Sequence, residues 1–184
     1  MKYAALFRGI NVGGKNMVSM KELQQLLLDL ELSKVKTYIQ SGNAVFETDI
    51  DEAALRDIIK TGLQNRFGFE SNTLIRSIDE IKVLIEQLPI TAAEIMEAEA
   101  FDPQAEHLYV YFLNSAPTTT QLDEIRNADI GSDILRVGKR EVYLLCHQSI
   151  RLSRLAARTS KAFDSATVRN WKTVIKLFDL LNNL

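Results

Sequence analysis

Cysteine is almost absent from this chain. Cys146 is the only one in 184 residues, which excludes an internal disulfide and any cysteine-built metal cluster. Histidine is nearly as scarce: His107 and His147 stand alone, far from the spacing that brings two imidazoles onto one zinc ion. No metal is expected. There is no low-complexity tract and no long Gly/Ser/Pro linker. No apolar run approaches the roughly 18–20 residues of a membrane helix, so no membrane partner is expected. The apolar stretch 3–7 is too short for the core of a secretory signal and is closed by Arg8. Together these absences point to a soluble protein of the cytoplasm. Charge of one sign is also lacking overall, at a net −2, which argues against a surface covered in nucleic-acid contacts.

The charge that is present is unevenly spread. Asp and Glu dominate residues 49–106. Lys and Arg dominate residues 139–176, where only Glu141 and Asp164 oppose them. Two readings stay open: an anionic partner for the basic segment, or two solvated helix faces.

Periodicity sets out the elements. Residues 3–7 form a first strand, followed by a glycine-rich turn. Ser19 with Glu22 makes a capping box. Leu23, Leu26, Leu27 and Leu30 then fall on one helical face. Residues 35–39 and 44–46 are β-rich and flank Ser41-Gly42-Asn43, a hairpin signal. Asp49 with Glu52 opens a second helix carrying Leu55, Ile58, Ile59 and Leu63, and residues 72–76 form a fourth strand. The order β-α-β-β-α-β is the ferredoxin-like unit. Ser77 and Glu80 cap a linking helix that Pro89 stops. The second half supplies strands at 107–113, 134–137 and 141–145, a short helix at 120–127, a helix over 150–163, and a longer terminal helix with Val168, Trp171, Val174, Ile175, Phe178 and Leu181. The expected fold is therefore α+β: two ferredoxin-like lobes with mostly antiparallel sheets and an extra C-terminal helix. The lobes span 1–76 and 107–184, joined by a helical linker over 77–106.

The turn Arg8-Gly9-Ile10-Asn11-Val12-Gly13-Gly14-Lys15-Asn16 fits G-x-x-x-x-G-K. A phosphate-binding P-loop uses that spacing so that successive amides cradle phosphate oxygens. The residue after the lysine should then be Ser or Thr on the magnesium ion, and a helix should start there. Here it is Asn16, and the helix signal begins only at Ser19. A nucleotide-hydrolysing P-loop is thus disfavoured. A tight strand-to-helix turn and an anion-binding loop of another kind both remain.

Three blocks resemble a known family. Arg8 to Lys15, then Tyr38-Ile39-Gln40-Ser41-Gly42-Asn43, and finally Thr167-Val168-Arg169-Asn170-Trp171-Lys172-Thr173-Val174 are similar to stretches of the DUF1697 family of uncharacterised, mostly bacterial proteins. The family usually carries a glycine and Ser-Lys-Leu before its penultimate helix. This chain has Ile150-Arg151-Leu152-Ser153-Arg154-Leu155 and lacks the glycine. The resemblance implies no established activity, and the cofactor is unknown.

Topology gathers the candidate residues. In a ferredoxin-like unit the end of strand 1 and the hairpin between strands 2 and 3 lie at one edge of the sheet. Arg8, Asn11, Gly13, Gly14 and Lys15 should then sit near Gln40, Ser41 and Asn43, a set that suits a phosphate or carboxylate. Arg169 and Asn170 lie off the apolar stripe of the terminal helix and are further candidates, as a third wall or a separate patch. Trp171 belongs to that stripe. The leading expectation is a binder of a small anionic ligand. The alternatives are nucleic-acid binding through 139–176, with Tyr109, Tyr111 and Tyr143 as stacking candidates; an enzyme of unrecognised chemistry, for which no general base stands out; and a protein-interaction module. Cys146 and His147 are adjacent at a strand end and should face opposite ways, which disfavours a Cys–His nucleophile pair.

Overall fold

Residues Tyr3 through Phe7 are all buried, so β1 (Lys2–Phe7) is covered on both faces and lies inside a sheet rather than at its edge. The computed structural model describes residues 1–40, 42–126 and 131–184. After β1 comes α1 (Met20–Asp29), opened by the Ser19–Glu22 capping box: Ser19 Oγ accepts the Glu22 amide at 3.1 Å while the Glu22 carboxylate accepts the Ser19 amide at 3.2 Å. Strands β2 (Ser33–Tyr38) and β3 (Asn43–Glu47) follow, then α2 (Glu52–Phe67) and β4 (Thr73–Ser77). The cap of α2 is Asp51, not Asp49. Its carboxylate accepts the amides of Ala53 and Ala54 at 2.9 and 3.0 Å, whereas Asp49 lies 3.7 Å from the Met1 ammonium group. Gly68 ends the helix in the left-handed region.

The chain continues through α3 (Ile78–Glu86), whose first turn is capped by Ser77 and Glu80, and α4 (Ala92–Phe101), capped by Thr91 and Glu94. Then come β5 (Leu108–Phe112), α5 (Thr119–Arg126), β6 (Ile134–Val137), β7 (Glu141–Leu145), α6 (Arg154–Ala162), β8 (Thr167–Asn170) and α7 (Trp171–Asn182). Two further sequence expectations need correction. The helix placed over 150–163 starts only at Arg154, because Ser153 is its cap and accepts the Ala156 amide. Val168 is not on the terminal helix. It lies in β8, which pairs antiparallel with β5 through Tyr111–Val168 and Val110–Arg169. The three-residue spacing of Val168 and Trp171 mimics a helix turn, but the strand's pairing decides the conformation.

The fold is mixed α and β with two four-stranded sheets, and every pair of neighbouring strands is antiparallel. The chain divides into two compact units, Met1–Val83 with Ile175–Leu184, and Leu84–Val174. In the first the strand order is β2-β3-β1-β4. One face of that sheet supplies Tyr3, Ala5, Phe7, Phe46 and Ile75 to a core with Leu23 and Leu27 of α1 and Leu55, Ile59 and Leu63 of α2. Three lysines on β1 and β2 also reach the chain's last residues: Lys2, Lys34 and Lys36 donate to the carbonyls of Asn182, Leu184 and Asn183. Cations there complement the negative end of α7. In the second unit the order is β6-β7-β5-β8. Its core joins Tyr111, Val142, Leu144 and Cys146 to Leu155, Ala156 and Phe163. Among the described residues, no helix is long and apolar enough to cross a membrane.

Candidate functional site

Residues 8–19 connect β1 to α1, a longer path than the roughly two to six residues usual between strand and helix. Gly9, Asn11, Gly13, Gly14 and Asn16 all have positive φ. Val12 and Lys15 form an isolated antiparallel bridge, with the Lys15 amide donating to the Val12 carbonyl at 3.0 Å. Two consecutive left-handed residues, Gly13 and Gly14, turn the tip, the pattern of a type I′ hairpin. The segment is therefore a miniature hairpin rather than a P-loop.

Asparagines lock this hairpin at its base. Asn11 Nδ2 donates to the Val18 carbonyl at 2.8 Å and to the Gln40 carbonyl at 2.9 Å, and Asn11 Oδ1 accepts the Val18 amide at 2.8 Å. Asn16 Nδ2 donates to the Gly9 carbonyl at 3.0 Å, and its own carbonyl accepts the Asn11 amide. Arg8 is pinned through its backbone, which exchanges hydrogen bonds with the Ser71 hydroxyl. Both cationic side chains, Arg8 and Lys15, are exposed and have no hydrogen-bond or ion-pair partner among the described residues.

The turn between β2 and β3 sits directly against this base. Gly42 has φ +77°, its carbonyl accepts the Phe7 amide at 2.9 Å, and a Cβ there would come within 2.5 Å of Ile10 Cδ1. The Asn11–Gln40 bond and the Gly42–Ile10 contact thus join the two sequence blocks at one edge of the sheet. Their side chains have different surroundings. Gln40 is exposed. Asn43 is buried, and its amide donates to the Tyr38 carbonyl at 3.2 Å. Ser41 lies outside the described residues.

Arg169 and Asn170 belong to the second unit. Asn170 Oδ1 accepts the Thr173 amide at 2.9 Å and so caps α7. Arg169 pairs across from Val110, donates to the Val168 carbonyl at 2.8 Å, and burial lowers its guanidinium to about 10. Trp171 is half-buried, while Val174, Leu177 and Leu181 form the buried stripe of α7. The tyrosines considered for base stacking are covered. Tyr111 and Tyr143 are 1% and 2% exposed, and Tyr109 is half-buried against the core of α5 and α6. Cations of this unit also pair with the acidic stretch, through Arg136–Glu94 at 3.1 Å and, from the basic segment itself, Lys172–Glu106 at 2.5 Å.

One cluster escaped sequence reasoning. Cys146 points into the core, where burial pushes its thiol up to about 12. His147 turns the other way and meets Asp133, which bonds Ser153. The signal was the pairing of 134–137 with 141–145, which sets residue 133 across from residue 146.

The DUF1697 family, described as "Protein of unknown function", matches residues 1–143. No curated protein matches the chain. Among solved structures, the conserved bacterial protein SP0830 from Streptococcus pneumoniae is similar, with a TM-score of 0.73 and 24% identity over 98% of each chain. That likeness concerns the fold alone. Since the family match takes in most of the chain, including the whole glycine hairpin and the turn beside it, this protein belongs to the DUF1697 family.

Proposed function

We propose that the chain binds a small anionic ligand, bearing a phosphate or a carboxylate, at the edge formed by residues 8–16 and the turn 40–43. One observation carries the reading. Hydrogen bonds from Asn11 fix the hairpin to its neighbour, yet Arg8 and Lys15 are left exposed and without a side-chain partner among the described residues. A plain strand-to-helix connection needs neither the length of this segment nor its five positive-φ residues. In this reading Arg8 and Lys15 supply charge, the Gly13–Gly14 tip supplies backbone amides, Gln40 adds an amide side chain, and Asn11 and Asn43 hold the frame. Each lobe, over 1–76 and 107–184, is in this proposal a ferredoxin-like unit, an assignment supported by the matching strand orders of the two sheets.

The test is a thermal-shift screen of phosphorylated and carboxylated metabolites, with inorganic pyrophosphate as the reference probe, followed by titration calorimetry on Arg8→Ala and Lys15→Ala. A ligand that binds only the folded state raises apparent stability by mass action. Each substitution should weaken binding about tenfold, as expected for loss of a charge-assisted bond, while the ligand-free melting temperature stays the same. Equal affinity in wild type and both variants would sink the proposal.

A second reading keeps one observation. Arg154, Arg158 and Lys161 lie on an exposed face of α6, at the four- and three-residue spacing of one helical side. A nucleic-acid backbone would suit it. Affinity for single-stranded RNA should then fall steeply with added salt, and no binding at low salt ends this reading.

A further inference from the structure

The pair Ile134–Leu145 sets the start of β6 beside the end of β7. Asp133 and His147, just beyond those ends, are thereby brought together. Asp133 is buried and both its oxygens are engaged: Oδ1 accepts the His147 amide at 2.9 Å and Oδ2 accepts the Ser153 hydroxyl at 2.5 Å. Ser153 also caps α6. These bonds tie β6, β7 and α6 into a fixed floor.

The imidazole of His147 lies over that floor in a different condition. It is 7% exposed. Its Nδ1 is 3.9 Å from Asp133 Oδ1, beyond hydrogen-bond reach, and has no partner among the described residues. A buried polar atom left unsatisfied costs about 1–3 kcal/mol, and in a native protein such an atom calls for an explanation. Beside the ring is a cavity of about 300 Å³ lined by Phe101, Asp133, His147, Gln148, Leu152 and Arg154, among others, at the small end of the ligand-pocket range. Phe101 and Leu152 are 70% and 67% exposed, unusual for side chains so apolar. Phe101 meets the His147 ring edge-on, with centroids 6.3 Å apart and planes at 78°.

We propose that this cavity binds a planar nitrogen heterocycle of the nucleobase class, which stacks on Phe101 and hydrogen-bonds through its edge to His147, Asp133 and Gln148. The chemistry selects that class. A simple anion is disfavoured, because the one cation of the lining, Arg154, is offset by the Asp133 carboxylate, which already stands before the N-terminus of α6. A purely apolar molecule is disfavoured by the polar floor. A flat ring with alternating donors and acceptors matches both parts. It covers the exposed aromatic wall, and its edge meets an amide that donates and accepts and a carboxylate with lone pairs to spare. No bond from the described residues anchors Nδ1, so a turn about the broad Cβ–Cγ torsion brings it to the ligand. The proposal concerns the second unit alone and does not depend on the anion reading of the glycine hairpin.

Nuclear magnetic resonance of the histidine rings tests it directly. The chain has two histidines. His107 is an internal control, since both its ring nitrogens lie within hydrogen-bond distance of carbonyls, Cys146 O at 2.6 Å and Asp102 O at 2.9 Å. Adenosine, guanosine, cytidine and uridine are titrated separately, with inorganic phosphate as a further probe. At least one nucleoside should shift the His147 ring signals saturably while His107 stays still. Phe101→Ala should weaken that nucleoside about tenfold through lost stacking. Phe101→Leu, which keeps an apolar side chain without the ring, should weaken it similarly and guards against loss of the fold. A single-stranded RNA of about eight nucleotides separates the sources: tighter binding than any nucleoside assigns the site to a strand, and equal or weaker binding assigns it to free bases or nucleosides. The proposal is overturned if no nucleoside moves His147, if phosphate alone reproduces the shift, or if both Phe101 variants bind as the wild type does.

Discussion

Asn11 Nδ2 donates to the carbonyl of Gln40 at 2.9 Å, across the gap between two loops that are far apart in sequence. The same amide group binds both the carbonyl and the amide of Val18. One side chain thus closes the base of the glycine hairpin and ties it to the β2–β3 turn. Asn11 is a suitable residue because it tolerates the left-handed conformation it holds, φ 55°.

Two substitutions separate the bonds from the backbone. Asn11→Gly keeps access to positive φ and loses the bonds, and should destabilise the protein by about 2–3 kcal/mol. Asn11→Ala loses the bonds and adds a left-handed penalty of roughly 1 kcal/mol. Urea denaturation measures both. A glycine variant as stable as wild type would remove the clamp from the account.

The glycines of this edge differ in what confines them. At Gly42 an added Cβ would strike Ile10 Cδ1 at 2.5 Å, Ile10 Cγ1 at 2.6 Å and Phe7 Cβ at 2.9 Å. At Gly13 nothing lies within 4 Å. Gly42→Ala should therefore cost about 2–4 kcal/mol, from overpacking together with strained φ. Gly13→Ala should cost about 1–2 kcal/mol, from φ alone. In the double variant Ile10→Ala/Gly42→Ala the penalty should be smaller than the sum, because the clash is shared. Additive penalties in thermal denaturation would show that the Ile10 contact does not limit residue 42.

Much of this edge was legible in the sequence, for a physical reason. Capping boxes, apolar periodicity and a Gly-Asn turn are local signals, and once they place β1, β2 and β3 the pairing of strands brings Ile10 and Asn11 beside Gly42 and Gln40. What was not legible depends on non-local partners. Asp49 and Asp51 are both reasonable caps for α2, and contacts elsewhere decide between them. Residues 167–170 have helix-like spacing and become β8 only because β5 offers an edge to pair with. The hairpin at Val12–Lys15 was hidden because its glycines also fit a phosphate-loop pattern. The Asp133–His147–Ser153 cluster draws its members from the ends of three elements, and no short motif contains them.

The buried thiol gives a pH prediction with a definite sign. Burial raises Cys146 to about 12, against an ordinary thiol value of about 8.5. Above the lower value the unfolded chain releases a proton that the folded chain retains. Stability must therefore fall as pH rises through that window, by up to about 1.4 kcal/mol per pH unit from this group. Tyr109, raised by burial to about 12, adds its own loss only above the ordinary phenol value of about 10. Between about pH 8.5 and 10 the difference in slope between wild type and Cys146→Ala thus isolates the thiol. Parallel stability curves over that range would contradict the burial. The same thiol should resist alkylation in the folded protein and react once urea unfolds it.

Ser153 performs two tasks with one oxygen. It accepts the Ala156 amide at 2.9 Å, capping α6, and donates its proton to Asp133 Oδ2 at 2.5 Å. Ser153→Ala removes the cap and also deprives a buried carboxylate of a donor. The expected loss is about 2–4 kcal/mol, more than a solvent-exposed cap is worth. Asp133→Asn should be milder. The new side chain's carbonyl can still accept the His147 amide, and its NH₂ can donate to the Ser153 oxygen that the carboxylate formerly faced. In the Asp133→Asn background no buried charge is left stranded, so adding Ser153→Ala should cost less than it does in the wild type. The coupling should be about 1–3 kcal/mol in a double-mutant cycle read by urea denaturation. If the cycle closes with no coupling, Ser153 acts as a cap only, and the fixed floor beneath His147 loses its anchor on α6.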